Sequence, residues 1–273
     1  MILILVVLYE KKLANSSTLQ FILESSKTIN NINATLYLWD NSLVPLDKLD
    51  ISLLTSEIKK FCYNHNPQNS PLSLVYNTTI DKLINDNVYK FLIILDDDSN
   101  LGNTYFSTVI STVLLNPTIE LFLPIITNHS VIISPSKYYI AKGINYKKLK
   151  PGIKSSKNKM AINSGMVIAK NFFNRTNFRY DTRLDNYGTD NYFMKKYSQN
   201  NLYFYVLNYA FKHSLSFYDN RNLHNKLIIY RKVKKANLII NKDQLFENIF
   251  THVFFFLSSL RFSIKYKDIN FFK

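Results

Sequence analysis

A chain of 273 residues has room for one large domain or two small ones and for a buried core, since a domain takes roughly 150 residues. Its 47% hydrophobic and 15% aromatic content excludes a disordered chain. With 34 Lys and Arg against 19 Asp and Glu, the net charge is +15 and the pI near 9.6, which points to an anionic partner; the one cysteine, Cys62, excludes a disulfide scaffold or zinc finger and fits a reducing compartment.

The apolar run at residues 1–8 has no basic start and stops before Tyr9-Glu10-Lys11. It is too short for a signal peptide or a membrane span, so it reads as a buried first strand over residues 2–9. Residues 17–26 read as an amphipathic helix with Leu19, Ile22 and Leu23 on one face, capped by Ser16 or Ser17. A second strand over 34–39 ends at Asp40-Asn41-Ser42. Helices are expected over 53–61 and 72–87, then a buried strand over 89–95 that ends at Asp96-Asp97-Asp98. This alternation of short apolar strands with helical patterns marks βαβ units and a mainly parallel sheet. Open sheets of that kind bind ligands at the carboxyl ends of their strands, where Asp40 and the triple aspartate fall. Further on, strands are expected over 121–126, 131–133, 161–169 and 202–207, with a helix over 190–197. No repeat and no Gly/Ser linker interrupts the pattern.

Charge is unevenly spread. Between Leu121 and Tyr180 there is no Asp or Glu, while Lys137, Lys142, Lys147, Lys148, Lys150, Lys154, Lys157 and Lys159 accumulate around Pro151-Gly152, which reads as a basic, mobile loop. A second acid-free stretch from Asn220 to Lys242 carries Arg221, Lys226, Arg231, Lys232, Lys234 and Lys235. Such runs are solvated faces or contacts to phosphates and anionic membrane surfaces. From Asp243 onward Leu245, Phe246, Ile249, Phe250, Val253, Leu257 and Leu260 follow helical spacing, with Phe254, Phe255 and Phe256 beside them and Arg261, Lys265, Lys267 and Lys273 after them. That segment is interrupted by Glu247 and His252. It reads as a helix lying in a membrane interface, or as a core or oligomer helix.

Three adjacent carboxylates raise one another's pKa unless something offsets their repulsion. A divalent cation does so, and Mg²⁺ typically takes one or two carboxylates together with substrate phosphate oxygens. The period of two along a strand aims Asp96 and Asp98 to one side and turns Asp97 away. A plain Asp-rich turn or helix cap is the simpler alternative.

Other segments stand around this one in a telling order. They are Tyr37-Leu-Trp-Asp40-Asn41-Ser42, Tyr63-Asn-His-Asn66-Pro67-Gln-Asn69-Ser-Pro-Leu72-Ser73-Leu-Val-Tyr76-Asn77, Leu95-Asp96-Asp97-Asp98-Ser99, and Ala161-Ile-Asn163-Ser164-Gly165-Met166. Tyr180-Asp181-Thr-Arg183-Leu184-Asp185-Asn-Tyr187-Gly188-Thr189-Asp190 and Phe211-Lys-His213-Ser214-Leu-Ser216 follow. Together they resemble the GT-A glycosyltransferases of the family-2 type, especially bacterial rhamnosyl- and galactofuranosyltransferase-like members, over roughly residues 2–231. The chain departs from the family pattern at Pro71, Val75 and Thr189, where Gly, Ala and Glu are usual.

The resemblance implies an α/β GT-A fold, with a mainly parallel central sheet flanked by helices and a C-terminal helical extension. It divides the chain into a catalytic domain over 1–219, with a nucleotide half over 1–100 and an acceptor half over 101–219, and a basic, amphipathic extension over 220–273. Asp40, Asn77, Asp96 and Asp97 would contact the nucleotide, and Asp96, Asp98 and His213 would hold Mg²⁺ or Mn²⁺. Ser164, Gly165 and Asp185 would lie on the acceptor side, and Asp190 would be the catalytic base.

The implied activity is inverting, metal-dependent hexosyl transfer from a UDP- or dTDP-sugar to a saccharide or lipid-linked saccharide, in O-antigen or capsule synthesis. The implied location is the cytoplasm, at the inner membrane with peripheral membrane contact, with oligomerisation left open. Lysines of the 142–159 segment would close over the diphosphate. One rival is a nucleic-acid-binding protein, for which the 20 Phe and 19 Tyr would supply stacking platforms; it leaves the aspartates at strand ends unexplained, so no nucleic-acid partner is expected. Another is a GT-A protein that binds UDP and transfers nothing.

Overall fold

The structure is a computed structural model that describes residues 1–213 and 223–272. The first half is built from β1 (Ile2–Leu8), α1 (Ser17–Glu24), α2 (Ser26–Asn31), β2 (Thr35–Asp40), α3 (Lys48–Glu57), β3 (Phe61–His65), α4 (Leu72–Asn85) and β4 (Phe91–Asp96). The four strands are parallel in the order β3-β2-β1-β4. The apolar run of β1 is buried almost throughout because both sheet faces are covered. Leu3, Leu5 and Val7 pack with Val75 and Ile80 of α4, whereas Ile4, Val6 and Leu8 pack with Leu19 and Ile22 of α1 and Leu54 of α3. A one-residue slip would exchange the two sets, so pairing register and packing specify each other.

The second half adds α5 (Tyr105–Leu115), β5 (Leu121–Asn128), β6 (Val131–Ser134), β7 (Ser136–Tyr139), β8 (Lys142–Ile144), β9 (Gly152–Ser155), β10 (Lys159–Met160) and β11 (Met166–Ala169). Then come α6 (Lys170–Thr176), α7 (Thr189–Asn200), β12 (Tyr203–Lys212), α8 (Leu223–Asn241) and α9 (Leu245–Tyr266). Among the described residues the main sheet runs β3-β2-β1-β4-β11-β5-β12-β9, with β6 beside β5, and β10-β7-β8 form a separate small sheet. β12 runs parallel to β5, while β11 is antiparallel to both β4 and β5. The architecture is therefore the expected α/β one, with a mostly parallel sheet, flanking helices and a C-terminal helical pair.

Several local expectations need correcting. The helix expected over 53–61 is instead α3, which ends at Glu57, and Phe61–His65 form edge strand β3. The strand expected over 161–169 begins only at Met166, because residues 163–165 turn beneath the aspartates. The lysine-rich segment is not one mobile loop: β9 is hydrogen-bonded to β12, pairing Gly152–Ser155 with Tyr203–Val206, and β8 pairs with β7. Lysines on its strands extend from a sheet whose backbone is already paired. The basic stretch after residue 220 is largely helix α8. The expected domain limit at 219/220, Arg221, Ser214, Ser216 and Lys273 lie outside the described residues.

Candidate active site

Sheet register places the aspartates. β1 lies between β2 and β4, with Leu8 opposite Asp40 and Val7 opposite Asp96, so both carboxylates stand at the same carboxyl edge. The turn at residues 96–99 is tied to the start of α1: Ser16 Oγ donates to the Asp97 carbonyl at 2.7 Å, and the Ser99 amide donates to Thr18 Oγ1 at 2.9 Å. Asp97 lies in the turn past the strand end, where strand alternation no longer applies, and lines the same cleft as Asp96 and Asp98. Its carboxylate accepts from the Tyr9 amide at 3.0 Å and from Lys11 Nζ at 2.5 Å.

Strand β12 supplies the other wall. Its pairing sets Lys212 opposite Thr127, and the next residue, His213, donates its amide to the Thr127 carbonyl at 3.0 Å. One oxygen each from Asp96 and Asp98 and one His213 ring nitrogen lie within 4.8 Å of one another. His213 is buried, and its Nδ1 has no hydrogen-bond partner among the described residues, standing 3.5 Å from Asp98 Oδ1. Loss of water lifts the Asp96 carboxyl to about 7, with repulsion from Asp98, Asp97 and Asp190 adding to it. Two carboxylates in mutual repulsion and an orphaned imidazole nitrogen form a donor set that fits Mg²⁺ or Mn²⁺. The cluster opens on a cleft of about 380 Å³ lined also by Val7, Tyr9, Asn41, Asn69, Leu72 and Asn186.

Asp40 does not reach this cleft with its charge. It is fully buried, and its oxygens accept from the Ser42 amide at 3.0 Å, the Leu46 amide at 3.1 Å and the Tyr63 hydroxyl at 2.6 Å. It shapes the loop after β2 and thereby presents Asn41. Asn77 is likewise engaged, exchanging two hydrogen bonds with the Tyr180 backbone at 2.8 and 3.0 Å. The Tyr76-Asn77 pair thus clamps α4 to the segment that leads to Asp190. Val75 is a core residue of α4, so the departure from Ala there is a packing change.

Ser164 and Gly165 lie beneath the aspartates. Ser164 is buried and accepts from the Asp96 amide at 3.1 Å. Gly165 has φ +77, and a Cβ there would stand 2.8 Å from Pro124 Cγ, so no larger residue fits without a shift. Both therefore support the triple-aspartate turn. Asp185 is exposed on the outer side of the 181–188 segment, with Lys232 Nζ 3.6 Å away. Asp181 holds that segment by its paired hydrogen bonds to Arg183, at 2.5 and 2.8 Å.

Asp190 sits in the first turn of α7, whose N-cap is Gly188 at φ +82. It is not the capping residue itself, although its Oδ1 accepts from the Asn191 amide at 2.8 Å. Burial lifts its carboxyl to about 6. Burial also raises the phenols of Tyr76, Tyr138 and Tyr180, and the Asp190 charge raises each further. Asn163 Nδ2 joins the two halves of the site, donating to Thr189 Oγ1 at 3.2 Å and to Tyr76 Oη at 3.4 Å.

Residues that sequence reasoning passed over are Lys11, Thr18, Tyr63 and Tyr76. The signal for Lys11 was available, as a cation just past a strand whose neighbour ends in three carboxylates. Tyr63 belongs to β3, a strand the sequence reading did not assign.

No protein-family model and no curated protein matches the chain. Solved structures do. GalNAc-T7 with UDP, GalNAc and Mn²⁺ is similar at TM-score 0.62 and 13% identity, over 87% of this chain and 48% of that one. S. aureus TarS 1-349 in complex with UDP-GlcNAc is similar at TM-score 0.58 and 10% identity, over 87% and 66%. The same protein in complex with UDP gives 0.55 and 12%, over 87% and 65%. The chain thus spans about half to two thirds of those structures. It has the GT-A fold, the architecture of nucleotide-diphospho-sugar transferases.

Proposed function

We propose that the chain is a metal-dependent, inverting glycosyltransferase that moves a hexosyl group from a nucleoside-diphosphate sugar, a UDP- or dTDP-sugar, to a saccharide acceptor. The observation that carries the reading is the Asp96-Asp98-His213 cluster opening on the nucleotide-side cleft of a GT-A fold. UDP in the TarS and GalNAc-T7 structures and Mn²⁺ in the latter support the ligand class.

Asp96, Asp98 and His213 would hold Mg²⁺ or Mn²⁺, which when bound supplies positive charge for the diphosphate leaving group. Asn41, Asn69 and Asn186 offer neutral hydrogen-bonding groups along the same cleft. Asp190 takes the proton from the acceptor hydroxyl, whose oxygen bonds the anomeric carbon as the carbon–phosphate-oxygen bond breaks. The bonding pair leaves with the diphosphate, and attack from the opposite face inverts the centre. Asp40, Asn77, Ser164 and Gly165 act by holding these groups in place.

A lipid-linked acceptor in cell-surface polysaccharide synthesis, at the inner face of the membrane, fits the C-terminal helix. No described helix is long and apolar enough to cross a membrane. Only Thr251, Phe255 and Ser259 of α9 are buried, and Leu245, Phe246, Ile249, Val253, Phe256 and Leu257 are exposed. Exposed Arg261, Lys265 and Lys267 follow them, the pairing of an apolar face with cations that suits an anionic lipid surface.

The test is Mn²⁺-dependent UDP binding by thermal shift. At a hundredfold excess over Kd the ligand stabilises the wild type by about 2.7 kcal/mol. Asp98→Ala removes an anion from the cluster and is expected to abolish that gain while leaving the ligand-free melting point nearly unchanged. An unchanged Mn²⁺-UDP shift in the variant sinks the reading, as does tight, metal-free, salt-sensitive binding of oligonucleotides without any UDP effect.

A further inference from the structure

A larger groove of about 940 Å³ lies on the other side of the 182–185 segment, against α8. Arg183, Arg231, Lys234, Lys235 and Lys242 line it, facing a single lining carboxylate, Asp185. That carboxylate already has Lys232 beside it, and Arg183 is paired with Asp181. Arg231, Lys234 and Lys235 have no carboxylate partner among the described residues.

Arg231 is moreover held in place. Its Nη2 donates to the Asn270 carbonyl at 2.8 Å, while its Nε is buried with no hydrogen-bond partner among the described residues. Cations gathered around one groove without carboxylate partners attract a dense anion such as a phosphate.

The surroundings specify what carries that phosphate. The segment lining the groove passes through Asn186, which lines the metal cleft, to Gly188 and Asp190. In the other direction, Lys234 Nζ lies 3.4 Å from the Phe272 carbonyl, and the Phe272 ring meets Phe256 of α9 at 5.8 Å. The segment lining the groove therefore runs on along the chain to the proposed base, and α8 is tied to the C-terminal residues that pack on α9.

We infer that the α8 groove binds a phosphate or diphosphate borne by the acceptor and directs the sugar hydroxyl toward Asp190, an assignment that rests on the transferase reading above. The phosphate belongs either to a lipid-linked glycan or to a soluble glycosyl phosphate. The continuous apolar face favours the lipid.

Inorganic pyrophosphate with a metal chelator present is the first probe, titrated against the full chain and the K234E/K235E variant. Both lysines reach solvent, so folding is expected to survive. Loss of charge-assisted contacts predicts binding about tenfold weaker or worse in the variant, with Mn²⁺-UDP affinity unchanged. Equal pyrophosphate affinity in the two proteins, or none in the wild type, overturns the inference. If Mn²⁺-UDP fails to bind the wild type, the transferase reading falls separately, since the pyrophosphate titration contains no metal or nucleotide.

The second probe compares phosphatidylcholine vesicles containing a short polyprenyl diphosphate with a soluble glycosyl phosphate. Vesicle capture that K234E/K235E loses supports a lipid-borne phosphate. Loss confined to the soluble compound supports a soluble acceptor. A variant equal to wild type in both vesicle capture and binding of the soluble compound overturns the site.

Discussion

Asp190 and Asp96 are both carboxylates lifted above their ordinary range, yet their neighbours differ. Asp96 has Asp97 and Asp98 beside it and shares a candidate cation site with Asp98 and His213; Asp190 stands among tyrosines, with burial as the leading cause of its value of about 6. A base is useful only when deprotonated, so transfer is expected to rise with pH up to about 6 and then level, in a pH–rate profile of the wild type. Asp190→Asn keeps the shape but not the basicity, and is expected to lower turnover by about 10² to 10⁴ with Mn²⁺-UDP affinity retained. The same raised value has a stability consequence. The protonated acid's contribution is fully present below the ordinary 3.8 and is lost as pH rises through about 6. The melting point of Asp190→Asn should therefore vary less than that of wild type across this window. Near-normal turnover in the variant would return the base assignment to Asp181 or Asp185.

At the scale of elements, the residue that caps α7 packs against α8 with no room for a Cβ. Gly188 has φ +82, and a Cβ there would stand 2.7 Å from Ala236 Cβ and 3.3 Å from Ile240 Cδ1. Left-handed backbone costs a residue with a Cβ about 1–2 kcal/mol, and overpacking costs about 1–3 kcal/mol more. Gly188→Ala is thus expected to lower unfolding stability by about 2–5 kcal/mol, read as a shifted urea midpoint with an unchanged slope. Because this contact sets α8 against the 181–188 segment, pyrophosphate binding in the groove should weaken with it. A midpoint within error of wild type would mean that α8 yields freely at this contact.

For the whole molecule, the net charge of +15 and the exposed side of α9 act in one direction. On the proposed reading, long-range attraction would bring the chain to an anionic surface and apolar insertion would hold it there, each buried large side chain contributing about 1.5–3 kcal/mol. The variant I249E/V253E/L257E changes exposed positions only. It should lose at least about tenfold in co-sedimentation with anionic vesicles while keeping its melting point. Raising salt from about 0.05 to 0.5 M should weaken the wild type as well, since it shortens the screening length to a few ångströms. Absence of vesicle binding by the wild type would remove the membrane from the proposal, binding that survives both changes would remove α9 and the charge as its cause, and a concentration-dependent oligomer lost in the variant would assign the face to a second copy.

Local pattern was enough to read β1, β2, β4 and the helices between them, because apolar runs bounded by polar turns have few alternative burials. It was also enough to bring out the triple aspartate at a strand end, but not the turn that takes Asp97 and Asp98 out of the strand's alternation. It misread β3, whose residues are half-buried at a sheet edge and so lack a clear apolar signature. It also took β8 and β9 for loop, because edge strands of lysine and glycine are held by pairing with a distant partner.

The site divided in the same way. Residue type and strand-end position marked Asp96 and Asp98, and the family resemblance marked Asp190, but the approach of His213 to Asp98 depends on β12 pairing with β5 far away in the chain. The inward turn of Asp40 and the clamp at Asn77 depend on partners 23 and 103 residues distant. The groove on α8 required a helix to meet a loop across Gly188. Composition and periodicity determine which faces must be buried; which charges end side by side is decided by long-range register, which no local window contains.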